Sequence, residues 1–101
     1  MADPTVIDRL GNRLRLGDAV WYGHVVQQHP EMRPMRRLVQ QVPAAATEIR
    51  RSANDANCLI YYMPHPRRSG CFLRVVANVV DGRIRTAHIA KRVTGGERVW
   101  P

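Results

Sequence analysis

The chain has 101 residues, enough for one domain with a two-layer core and too few for a multidomain enzyme. Its formal net charge of +8 comes from fifteen arginines and a single lysine set against eight carboxylates. Arginine in place of lysine favours planar, bidentate recognition of phosphate, so nucleic acid is the first partner class to consider, against the plainer reading of a solvated cationic surface.

In chain order, Thr5 to Leu10, Gly11-Asn12 and Arg13 to Leu16 predict a short hairpin turned by Gly-Asn. Asp18 is a helix N-cap candidate; Ala19, Tyr22, Val26 and His29 follow at helical spacing, and Pro30 stops the helix. From Pro34 onward, Met35, Leu38, Val39 and Val42 form an amphipathic stripe that predicts a second helix ending by Pro43. Cys58 to Met63, Phe72 to Val80 and Arg83 to Lys91 are rich in aromatic and β-branched residues and predict strands. Asp81-Gly82 supplies a two-residue turn between the last two. The expected fold is α+β, an N-terminal hairpin and two helices packed on a C-terminal antiparallel β-sheet of about four strands, all in one domain over residues 1–101.

Period-two counting assigns faces. Leu73, Val75, Ala77 and Val79 form an apolar face that should meet the second helix, while Arg74, Val76 and Asn78 point the other way. On the next strand Ile84, Thr86, His88 and Ala90 share one side and Arg85, Ala87, Ile89 and Lys91 the other; pattern alone leaves open which side joins the core. Cys58 and Cys71 lie in apolar runs, where Cys behaves as a small buried hydrophobe, and no CxxC pair suggests a metal site. No apolar run is long enough for a membrane span, and MADPTVID lacks the pattern of an export signal. The expected compartment is the cytoplasm, or that of a module delivered from a larger polypeptide, with Met1-Ala2-Asp3 an added start.

Metal-free RNA cleavage needs a base for the 2′-hydroxyl, an acid for the 5′-oxygen, and cations or hydroxyls around the phosphorane. His24 and His29 are five apart on the first helix, about 140° around its axis, so they should flank an edge and not chelate one metal together. Taken alone, each has a structural reading: a partly buried imidazole bonded to a carbonyl, or one stabilised by a helix C-terminus. His88 returns on a strand and strengthens the chemical reading, while His65, between Pro64 and Pro66, reads as a surface group. Arg50, Arg51, Arg67, Arg68, Arg74, Arg83, Arg85 and Arg92 lie on or beside the proposed sheet, where Lys91 adds a further cation. Tyr61 or Tyr62 would stack on a base, one facing the groove and the other the core.

YGHVVQQHPEM, EIRRSANDAN, LIYYM, FLRVVANVV and RTAHIAKRV stand in the order of motifs found in the phage-type nucleases of the barnase, EndoU, colicin and RelE-like group, which the chain resembles over residues 6 to 101. The resemblance implies helices packed on a four-stranded antiparallel sheet and metal-independent RNA cleavage of toxin or phage-associated type. It carries His24, His29, Glu31, Arg51, Ser52, Asp55, Tyr62 and Thr86 across as site residues. The chain departs from the pattern at Ala45-Ala46, where Asp-Pro is common, at Asn57, and at His88, where Tyr is usual.

The resulting expectation is an endoribonuclease leaving a 2′,3′-cyclic phosphate. His24, His29, Arg51, Thr86 and His88 would be catalytic; Glu31, Arg50, Ser52, Asp55, Tyr61, Tyr62, Arg74, Arg85 and Lys91 would bind substrate. No cofactor and no metal are expected; the partners would be RNA, tRNA included, and an acidic immunity protein or antitoxin, with no membrane and a monomeric chain. Two alternatives are a non-catalytic basic nucleic-acid-binding module and an interaction domain for an acidic partner.

Overall fold

The computed structural model describes residues 4–101, and the reading of Met1-Ala2-Asp3 as an added start lies outside the described residues. The chain is α+β. Strands β1 (Thr5–Ile7) and β2 (Arg13–Arg15) form the N-terminal hairpin, and β3 (Glu48–Arg51), β4 (Cys58–Pro64), β5 (Phe72–Asn78), β6 (Arg83–Ala90) and β7 (Arg98–Trp100) follow the helices. They make one mixed sheet in the order β1-β2-β6-β5-β4-β3-β7.

Seven strands therefore replace the four expected. The hairpin joins the sheet instead of standing apart, through a single parallel pairing of Arg15 with Arg83. Strands β3 and β7 were not anticipated, because EIRR and RVW are too short and too charged to show alternation. The sheet curls until its ends approach: the Arg9 guanidinium, just after β1, lies 4.9 Å over the Trp100 ring of β7 and donates to the Ala46 carbonyl.

The first helical segment, α1, covers residues 18–28, and its middle, Trp21–Val25, is a π-helical turn between two short α-helical pieces. Gly17 and not Asp18 is the N-cap; Asp18 lies in the first turn and forms an ion pair with Arg36 at 2.5 Å. A 3₁₀ stretch over Pro30–Met35 leads into α2, Arg36–Ala45. Helix α2 starts later than expected and continues past Pro43. Pro43 has no N–H to return to the Val39 carbonyl, so the helix forgoes one bond of its ladder there, and both Val42 and Pro43 are buried.

Both helices cover one face of the sheet. Trp21 and Val25 of α1 and Val39 and Val42 of α2 pack with Leu14, Ile49, Tyr61, Leu73, Val75 and Ile84 in one continuous core. Of the four residues assigned to the apolar face of β5, Leu73, Val75 and Ala77 are buried; Val79 lies beyond the strand and is only partly covered.

The β5–β6 hairpin has a four-residue turn, Val79 to Gly82, not a two-residue one. The Asn78 side chain accepts from the N–H groups of Val80 and Asp81, and Gly82, at φ +72°, completes the turn. Its consequence lies in the register. Val76 pairs with Thr86, but Ala77 pairs with Ile84, so Arg85 is an extra residue in a β-bulge. The bulge breaks the strict alternation along β6: Ile84, Ala87 and Ile89 go to the core side, while Thr86 and His88 go to the opposite side. The sequence count had put Ile84 and Thr86 together, because period-two counting has no term for an inserted residue.

Candidate active site

Strand β6 has β5 on one side, but β2 reaches only Arg83 on the other. From Thr86 to Ala90 the free side of β6 is flanked instead by α1, which packs against it. His24 Nε2 lies 3.2 Å from Thr86 Oγ1. One step further, His29 stacks on His88, with ring centroids 5.3 Å apart and planes 27° from parallel.

The two pairs are rungs of one ladder. Five helical residues rise about 7.5 Å, and two strand residues advance about 6.7 Å, so His24 and His29 keep step with Thr86 and His88. The helix ends at His29, whose backbone leaves the helical path at φ −135° and ψ 75°. Before it, in the π-helical turn, the N–H of Val26 reaches back five residues to the Trp21 carbonyl. In a regular α-helix they would diverge by the angle expected from sequence.

Arg74 of β5 is the register partner of His88, and Tyr62 of β4 is the partner of Arg74, so the three side chains share the face opposite the core. Tyr62 is fully buried. Its hydroxyl donates to the Thr94 carbonyl at 2.6 Å and accepts from the Arg74 Nε at 3.1 Å and from the Thr94 N–H at 3.2 Å. The segment between β6 and β7 crosses this face to make those contacts, so Tyr62 is not available to stack on a base. It acts as a fixed post that holds Arg74 by its Nε, and among the described residues the terminal nitrogens of the fork have no hydrogen-bond partner. Tyr61 faces the core, where its hydroxyl donates to the Asp8 carboxylate, and it has no place in the groove.

The electrostatics follow from the packing. The half-buried His88 imidazole has its pKa lowered by burial first, then by Arg74 and His29, with Glu31 opposing. Glu31, exposed on the 3₁₀ stretch after His29, is therefore close enough to be felt by the site. Burial raises the Tyr62 hydroxyl, but its bonds to Thr94 and to Arg74 outweigh this and lower it overall.

Other expected site residues lie elsewhere. Arg51 is on the side of β3 opposite to Arg50; its guanidinium donates to the Ala56 carbonyl and does not reach the histidines. Ser52 Oγ accepts from the N–H groups of Asn54 and Asp55, and Asp55 accepts from the Asn57 N–H, so both shape the β3–β4 loop. Arg50 shares the face of Tyr62 but is occupied by Glu48 at 2.6 Å and by the Gly96 carbonyl. Arg85, in the bulge, is paired with Asp81. Lys91 is exposed just after β6. His65 Nδ1 accepts from the Arg67 N–H in the β4–β5 loop, far along the chain from this groove.

Thr94 was missed by sequence reading, since nothing in RVTGGE marks a loop that folds back over the sheet. Among the described residues no group of three His, Cys, Asp or Glu is placed to hold a metal ion, and no helix is long and apolar enough to cross a membrane. Chemically, the cluster offers three imidazoles, a hydroxyl and a guanidinium on adjacent rungs. Compared with family models, curated proteins and solved structures, the chain has no match in any of the three.

Proposed function

We propose that the groove between α1 and β6 cleaves RNA by metal-independent transesterification, leaving a 2′,3′-cyclic phosphate. The observation that carries the reading is the double rung His24/Thr86 and His29/His88, with Arg74 alongside His88. Such a reaction needs two proton carriers on either side of a phosphate and a cation at its equatorial oxygens. His88, held toward its neutral form, takes the 2′-hydroxyl proton. His24 or His29 protonates the departing 5′-oxygen. Arg74 holds the phosphorane through its free nitrogens, and the Thr86 hydroxyl fixes the His24 ring. The resemblance to the phage-type nucleases supports the same reaction class.

Purified protein incubated with total RNA in EDTA is expected to yield fragments ending in cyclic phosphate, and intact RNA would overturn the reading. A non-catalytic nucleic-acid-binding module is the alternative, favoured by the same cationic surface. His24→Ala with His29→Ala separates them: lost cleavage with retained, salt-sensitive binding supports catalysis.

A further inference from the structure

Arg13 and Arg15 flank the buried Leu14 on β2, so both project from the face opposite the core. Arg83 precedes the buried Ile84 on β6 and projects from that same face. All three are exposed, and Arg15 is the direct register partner of Arg83. Like charges set side by side repel. Two carboxylates stand near them, but each is engaged elsewhere, Asp18 with Arg36 and Asp81 with Arg85. Among the described residues none of the three arginines has a carboxylate partner within 4.0 Å.

The surface around them is hollowed. A depression of about 250 Å³ is lined by Arg13, Arg15, Asp81 and Arg83, and a second of about 290 Å³ by Arg15, Asp18 and Arg83. They share Arg15 and Arg83, and the second is walled by the first turn of α1, the same helix that carries His24. From Arg83 the strand runs to His88, about 16 Å away at the usual strand rise. Only an oligonucleotide would touch both.

We infer that Arg13, Arg15 and Arg83 form a phosphate-binding track for single-stranded RNA that leads along β6 into the histidine groove. This rests on the proposed reading of that groove and adds the path its substrate takes. The track binds by charge, without reading sequence, and it explains why two arginines are tolerated as direct neighbours: the polyanion neutralises both.

The test uses the full chain and a labelled single-stranded 2′-O-methyl oligonucleotide long enough to span track and groove, which lacks the nucleophile and is not cut. The variant Arg13→Gln/Arg15→Gln/Arg83→Gln is expected to bind it on the order of 10-fold more weakly at low salt, with the slope of log K against log salt reduced by about 2. Its melting temperature should not fall, because a repulsive pair has been removed. Arg33→Gln/Arg67→Gln/Arg68→Gln takes the same charge from another surface and should cost much less. Equal losses in the two triple variants, or no loss in the first, overturn the track. Should the triple variant fail to fold, Arg13→Gln and Arg83→Gln singly, on different strands, are each expected to reduce the slope by about 0.7. Selective loss of binding in the Arg13→Gln/Arg15→Gln/Arg83→Gln variant, with a wild-type protein that leaves unmodified RNA intact, would retain the track and reject the ribonuclease reading; cleavage by the wild-type protein without selective loss in the variant would do the reverse.

Discussion

His29 and His88 stack across the gap between helix and strand, ring centroids 5.3 Å apart, with Arg74 as the cross-strand neighbour of His88. Two imidazoles and a guanidinium so close together repel if all are charged, so the packed arrangement holds His88 below its ordinary value of 6.5, by burial first and then by Arg74 and His29.

The sign of the pH effect follows. A histidine whose folded pKa is depressed binds fewer protons in the fold than in the unfolded chain, so its contribution to stability is present above about 6.5 and is lost as pH falls through the folded value. His88→Gln is expected to flatten the decline in stability below pH 6.5, measured by urea unfolding at a series of pH values. Arg74→Gln should raise the His88 pKa, read by NMR titration of its ring protons. An unmoved titration would separate Arg74 from His88.

Tyr62 fixes Arg74, so Tyr62→Phe is expected to leave the ring packed and free the guanidinium. The hydroxyl serves as a partner to Arg74 and to both backbone groups of Thr94, and its loss should destabilise the protein by about 1–3 kcal/mol. Under the proposed reaction the rate should fall more than in Tyr61→Phe, which removes a hydroxyl of similar burial from the core side. The pair of variants, assayed for stability and cleavage together, distinguishes positioning from general support.

Asp8 is the buried acid of the N-terminal turn. It accepts from the N–H groups of Leu10 and Asn12, from the Asn12 side chain and from Tyr61. Asp8→Ala leaves the buried Tyr61 hydroxyl and three part-buried donors without a partner and is expected to cost roughly 3 kcal/mol. Chemical denaturation measures it. Oligonucleotide binding by the protein that remains folded should be unchanged.

Gly96 backs onto β3 so closely that an added Cβ would lie 2.2 Å from the Arg51 carbonyl oxygen. Gly96→Ala must push the β6–β7 segment away from the sheet, at about 1–3 kcal/mol. The same segment carries Thr94, so the displacement should expose Tyr62. Increased hydrogen exchange at residues 94–100 would report it.

The strands around Tyr61, Val75 and Ile89 were legible because apolar and β-branched residues there leave little choice, and the α+β class follows from their order after the helices. The residue types of the candidate site, His24, His29, Thr86 and His88, were legible, but which of them meet in space was not. Arg51 was not separable from Arg50: alternation puts adjacent residues on opposite faces, but nothing local says which face carries chemistry. Tyr62 read as a stacking platform because the segment that buries it, around Thr94, has no pattern of its own.

By itself the sequence determined the charge, the apolar stripes of α2, β4 and β5 and the residue types available for acid–base work, since these depend on composition and local period. Three features belong to the tertiary structure alone. The bulge at Arg85 decides that Thr86 and His88 face away from the core, the departure of His29 from the helical path where α1 packs on β6 decides that His24 and His29 both meet that strand, and the crossing of the Thr94 segment decides that Tyr62 holds Arg74 instead of meeting solvent. Each depends on an extra or displaced residue relative to an ideal repeat, and such a displacement is stabilised by contacts between segments far apart in the chain.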